Sequence, residues 1–221
     1  MFFYSCIVPQ QYHSITFTVY LADYDFSLIQ VERPENAKER YGEQKIDTLT
    51  DKKYKTFFED DLVKILWVVS NEVGFEFLIE NKTDHTIKIV WDEATYMDEK
   101  GMNHKIMHSG IKYNDREKSQ PPSNIIRKGK LEDLIFPIDN VYFDERWNKK
   151  SLFLSKDFHS EYDPGIYHTF EDFQNTVNKN LNNNVSVLLP IQIENVTNDY
   201  IFTFQITNIE TKQRKHSDNV N

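Results

Sequence analysis

Side chains alternate between apolar and polar along most of this chain, the two-residue period of a half-buried strand. In SITFTVYLA (14–22), Ile15, Phe17, Val19 and Leu21 fall on one face, and FSLIQVER (26–33) is its expected partner after a short DYD turn. ENAKERYGEQ (35–44) follows Pro34 as a polar segment with a helical turn or two. DLVKILWVVSNE (61–72) is apolar on both parities, the mark of a strand covered on both sides, whereas GFEFLIEN (74–81) sets Phe75, Phe77 and Ile79 against Glu76 and Glu80. TIKIVWDEATYM (86–97) leads into DEKG (98–101), a type I turn with glycine at a left-handed position, and MNHKIMHSGI (102–111) returns beside it.

Consecutive prolines make KYNDREKSQPPSN (112–124) a loop. IIRKGKLEDLIFPIDNVYF (125–143) reads as two short strands around a Lys-Gly turn, and WNKKSLFLS (147–155) as another strand. VSVLLPIQIEN (185–195) and DYIFTFQITNIE (199–210) form a terminal pair, the second with Tyr200, Phe202, Phe204 and Ile206 on one face. Helical period appears in TFEDFQNTVNKNLNN (169–183), where Thr169 caps, Asp172 completes a capping box, and Phe170, Phe173, Val177 and Leu181 form the apolar stripe. About nine strands with one helix near 169–182 predict an all-β, antiparallel β-sandwich. No repeat or Gly-, Pro- or Ser-rich linker divides it, so residues 14–210 read as one domain, after an N-terminal stub (1–13) and before a disordered tail (211–221).

Composition narrows the partners. Acidic residues outnumber basic ones 35 to 26, a formal net charge of −9, which disfavours nucleic acid because phosphate binding rests on Lys and Arg. A single cysteine, Cys6, excludes an internal disulfide, and no Cys and His group has zinc-finger spacing. No apolar run reaches the 18 or so residues of a membrane-spanning helix; LVKILWVV (62–69) is short and carries Lys64. NKT (81–83) and NVT (195–197) match the N-glycosylation acceptor and are read as turns.

Several elements between about 54 and 206 form a recognisable series. They are Asn81 closing a strand, IKIVWD (87–92) leading to an Asp and Gly turn, a returning strand with His108 and Gly110, then PSNI (122–125) and LEDLIFP (131–137). The series resembles uncharacterised bacterial lipoproteins, chiefly of Bacteroidetes type, which are similar to immunoglobulin-like sandwiches. The resemblance implies that fold, an address in the cell envelope (outer membrane or periplasm) and no catalytic activity. It also gives MFFYSC a meaning: Ser5 is the small residue before a lipobox cysteine, and Phe3 holds the apolar position three before it. Cys6 is then the lipidated first residue of the mature protein, the basic and apolar parts of the signal lying upstream of Met1. If Met1 is the true start, Cys6 is an ordinary thiol and the chain is a cytoplasmic interaction module.

Candidate chemistry gathers at the DEKG hairpin. If paired positions sum to 199, Trp91 faces His108, Glu93 faces Ile106 and Thr95 faces His104, so Glu93, His104 and His108 share a face. Two imidazoles and a carboxylate are ligand types for zinc or iron, and the same trio is the site of an alternative envelope hydrolase. Ordinary hydrogen bonding within the sheet is the competing account, and no cofactor or metal is expected. Ser109 beside His108 lacks a G-x-S-x-G elbow, and alternation turns it to the opposite face. The acidic pairs Asp60 with Asp61, Asp92 with Glu93, and Glu171 with Asp172 read as turn and capping residues. Tyr20, Tyr24, Tyr142 and Tyr162 either fill the core or line a peptide or glycan platform. The leading expectation is a non-enzymatic, lipid-anchored binding or scaffolding module with an envelope protein or glycan as partner.

Overall fold

The computed structural model describes residues 14–50, 53–160 and 165–219; Cys6, the 1–13 stub and Tyr162 lie outside them. The chain is all-β, every strand pair being antiparallel. Among the described residues there are fifteen strands: β1 (Ser14–Glu32), β2 (Lys45–Thr48), β3 (Thr56–Glu59), β4 (Val63–Ser70), β5 (Gly74–Asn81), β6 (Ile87–Ile89), β7 (Thr95–Met97), β8 (Asn103–His108), β9 (Ser123–Ile125), β10 (Lys130–Pro137), β11 (Val141–Asp144), β12 (Arg146–Lys149), β13 (Lys156–Ser160), β14 (Asn184–Ile193) and β15 (Val196–Asn219). Two α-helices accompany them, α1 (Ala37–Tyr41) and α2 (Phe170–Val177).

Thirteen strands belong to one sheet, in the order β13-β1-β15-β14-β7-β8-β10-β5-β4-β3-β2, with β6 beside β14 and β9 beside β6; β11 and β12 form a separate hairpin. The sheet curls until β1 lies against β2, β3 and β4. Its concave face is lined by the alternating sets anticipated from the sequence, Phe75, Phe77 and Ile79 on β5 and Tyr200, Phe202, Phe204 and Ile206 on β15, joined by Val185, Val187, Leu189 and Ile191 on β14, all fully buried. Across the interior Trp67 meets Phe202 and Phe204, at ring-centroid distances of 5.0 and 5.3 Å.

The expected DYD turn does not form. Residues 14–32 run as a single strand along β15, and the irregularity is absorbed by bulges at Asp25/Phe26 and Leu28/Gln30. An extra residue in one strand shifts which parity faces inward. Tyr20, Ala22, Tyr24, Phe26 and Leu28 point to the core, and beyond the second bulge the buried residue is Val31. The tail expected to be disordered is also ordered up to Asn219, because Thr211 to Asn219 pair residue by residue with Ala22 to Ser14. Polar side chains suffice there, since the ladder itself is made by the backbone.

Helix α2 begins where the capping box places it: the Thr169 hydroxyl accepts the Asp172 N–H at 3.0 Å. Phe173 and Val177 are fully buried, with Phe173 against Tyr20, and the helix passes into a 3-10 turn at Asn178–Asn180 before reaching Leu181. A buried polar network closes the other end. Asp60, whose side chain is wholly buried, lies 3.3 Å from Arg33 Nη1, accepts the Tyr200 hydroxyl at 3.1 Å, and accepts the Leu62 and Val63 N–H groups at 2.9 and 3.0 Å. A buried carboxylate is tolerated only when its lone pairs are met in this way.

Truncating Phe204 to alanine removes a ring that touches both Trp67 and Phe75, and should cost about 3–5 kcal/mol in urea unfolding. Leu181→Ala, at a side chain 42% exposed, should change stability by only about 0.5 kcal/mol.

Candidate functional site

The β7–β8 hairpin forms with pairs summing to 200: Thr95 opposite Lys105, Tyr96 opposite His104 and Met97 opposite Asn103. The one-residue difference from expectation comes from Gly101, in the left-handed region at φ 78°. The Gly101 N–H closes a turn onto Asp98 O at 3.0 Å, and the Asp98 N–H donates to Met102 O at 3.0 Å, so Asp98 lies opposite Met102 and not Gly101. This is the three-residue loop whose left-handed glycine makes a bulge. Before the hairpin, a 3-10 turn (Trp91–Glu93) separates β6 from β7 and leaves Glu93 exposed.

Glu93, His104 and His108 therefore do not converge, and among the described residues no group of three His, Cys, Asp or Glu side chains could hold a metal. His104 sits between two carboxylates, with Nδ1 2.7 Å from Asp139 and Nε2 3.1 Å from Asp98. It clasps the hairpin loop to the 3-10 turn at Ile138–Asn140. The Asp139 contact, aided by Asp98 and opposed by partial burial, raises the His104 pKa above its usual range.

His108 is held differently. Its Nδ1 lies 3.0 Å from Asp133, which also accepts the Ser109 N–H at 2.9 Å. Burial works to raise the Asp133 pKa, but His108, Ser109 and the Leu134 N–H outweigh it and hold the carboxyl below its ordinary range. Trp91 stacks flat on the imidazole, centroids 4.2 Å apart and planes 8° from parallel, while its indole N–H donates to Ser123 at 2.8 Å. Residues of the series IKIVWD, PSNI and LEDLIFP thus meet around one ring. The His108 Nε2 is buried and has no hydrogen-bond partner. A general base must present its nitrogen to the proton it takes, and this one is covered; the pair braces the end of β8 against β10.

Asp92 and Asp60, read as turn residues, anchor loops. Asp92 accepts the Ser119 hydroxyl and the Gln120 N–H at 2.8 Å, and these contacts lower its pKa. Asn81, fully buried, donates its amide to the carbonyls of His85, Ile125 and Ile126 and accepts from Thr83.

A concave surface that sequence reasoning missed lies around the outer hairpin of β11 and β12. Of the expected 147–155 strand only residues 147–149 are extended, within β12, because Asn71 captures the next segment: its amide bonds to both Phe153 N and O, and Asn71 O accepts the Leu152 N–H. The hairpin packs over a second, smaller apolar cluster of Met107, Phe136, Ile138 and Val141 on the outside of the sheet. Beneath it is a pocket of about 240 Å³ lined by Met107, Ile111, Tyr113, Phe136 and Val141, with His108, Ser109 and Lys149 at its walls. On the far side of Lys149 runs a groove of about 680 Å³, bordered by Tyr142, Lys150, Leu152, Phe153 and Lys156.

Lys149 belongs to both. Its ammonium lies 4.2 Å from the Phe136 ring centre and donates to Val73 O at 3.0 Å, and burial pushes its pKa down. Lys149, Lys150 and Lys156 form no ion pair among the described residues, and residues 146–156 include four basic side chains and no acidic one. Phe143 is 63% exposed on the same hairpin, in edge contact with Trp147. The signal available in the sequence was that charge imbalance in an otherwise acidic chain. Comparison with protein-family models, curated proteins and solved structures found no match.

The His104 clasp has a pH signature. A group whose pKa is raised on folding takes up a proton, so its contribution is complete below about pH 6.5 and is lost as the pH rises through the folded value. Between about pH 6 and 8.5 the melting temperature of the wild type should therefore fall relative to that of His104→Gln. Parallel curves would show that the clasp carries no linkage.

Proposed function

We propose that this chain is a binding module of the bacterial cell envelope, anchored by a lipid on Cys6, whose recognition surface is the β11–β12 hairpin and the groove beside it. The observation that carries the reading is the groove itself: three lysines without carboxylate partners among the described residues border it together with Tyr142. In a chain of net charge −9, such a patch attracts an anionic face of a partner. Exposed aromatics beside the cations supply apolar contact area at little entropic cost, the composition favoured at interface centres. The enclosed Nε2 of His108 favours binding over hydrolysis at this face. The envelope address rests on the lipobox-like FYSC and on the resemblance of residues 54–206. Among the described residues no helix is long and apolar enough to cross a membrane.

A photo-crosslinking residue placed at Phe143 in the full chain, expressed in its own cells, should give a discrete adduct that Lys150→Glu with Lys156→Glu abolishes. The same residue at Glu39, exposed on α1, should give none. Equal adducts at both positions, or none at Phe143, would contradict the reading. The address is tested separately by membrane fractionation of the native full-length product. Cys6→Ala should release it from the membrane fraction, and an unmodified, unanchored wild type would place it elsewhere.

A further inference from the structure

We infer that the smaller pocket beneath the hairpin is a subsite for a small organic monoanion, a carboxylate carried on an apolar body. The inference deepens the binding reading and rests on the same face, but on a different cavity. Five lining side chains, Met107, Ile111, Leu134, Phe136 and Val141, are apolar, so most of any occupant must be hydrocarbon or aromatic. The volume, about 240 Å³, is below the range of about 300–1,000 Å³ that holds drug-sized ligands, so the occupant is small.

The wall supplies one cation. An ammonium has three donors; Val73 O takes one from Lys149, the Phe136 ring faces the charge, and no carboxylate among the described residues balances it. Holding a partly desolvated cation without a counter-charge is costly, and an anion in a site of reduced dielectric is bound more strongly than at an open surface. A neutral ligand leaves that cost in place. A doubly charged ligand such as a phosphate monoester has one charge too many for a single cation among apolar walls. The exposed Ser109 at the rim adds a hydroxyl that can donate to the second carboxylate oxygen. His108 contributes shape only, its Nδ1 being engaged by Asp133 and its Nε2 covered.

The test is methyl-resolved NMR on the full chain, titrated with hexanoate and benzoate and with their neutral matches, hexanamide and benzamide. The Met107 and Ile111 methyl signals should shift and saturate, while those of Leu66 and Leu78, which line a different depression, stay still. Each carboxylate should bind at least tenfold more tightly than its amide. Lys149→Met should abolish that preference and Lys149→Arg should retain most of it. Absent shifts at Met107 and Ile111, equal affinities for acid and amide, or an acid preference that survives Lys149→Met would each overturn the inference. If either variant fails to fold, the acid and amide comparison on the wild type decides alone. A silent pocket with the Phe143 adduct intact removes only this inference; a carboxylate-selective pocket without the adduct removes only the groove reading.

Discussion

The contact of Trp67 with Phe202 and Phe204 holds the curled sheet closed, and the rest of the structure depends on it. A strand path of eleven members would otherwise present two wet faces. Folding it over brings β4 and β5 against β15, burying Trp67, Phe77, Phe202 and Phe204 completely. The rings meet tilted or edge-on rather than face to face, the arrangements that aromatic quadrupoles prefer and that add about 0.5–1.5 kcal/mol per pair beyond area burial. Exposed ion pairs such as Lys38 with Glu43 or Lys130 with Glu80 are worth about 0–1 kcal/mol each. Closure therefore rests on the aromatic interior.

Polar side chains then decide where the loops go. Asp60 gathers Arg33, Tyr200 and the β3–β4 turn; Asn81 gathers the β5–β6 turn and the chain after β9; Asn71 captures residues 152–153. Each is buried and each has its hydrogen-bonding capacity met, so replacing one partner would strand the other at a cost of about 1–3 kcal/mol. Asn71 has the most direct bearing on the proposed recognition surface. By holding Leu152 and Phe153 irregular, it bends the chain between β12 and β13 and so shapes the groove that Lys149, Lys150 and Lys156 border. Asp133 and His108 similarly fix the end of β8, which forms one wall of the pocket under the hairpin.

Much of this fold was legible as alternation. On β5, β14 and β15 one face is fully buried, so period two in the sequence maps directly onto the core, and Thr169 with Asp172 announced the start of α2. Three features escaped because backbone geometry, not hydrophobicity, decides them. Gly101 adds a bulge that shifts the β7–β8 register, the 3-10 turn at Trp91 breaks an apolar run, and the polar stretch after Thr211 is ordered by pairing with β1. Trp91 and His108 do meet, though by stacking and not as cross-strand partners. The lysine-walled surface was hidden for a further reason: Val73, Phe136 and Lys149 are far apart in sequence, and only the folded hairpin brings the ammonium to its ring and carbonyl.

As a recognition element seated on the outside of the main sheet, the β11–β12 hairpin should open independently of that sheet, since its cluster of Met107, Phe136, Ile138 and Val141 is distinct from the main core. Native-state amide hydrogen exchange tests this most directly, because local openings of lower free energy show up against global unfolding. Amides of residues 141–149 should exchange through openings that leave β14 and β15 protected. Exchange of the hairpin and of β14–β15 at one common opening free energy would contradict it, and would make the hairpin part of the core rather than a surface built upon it.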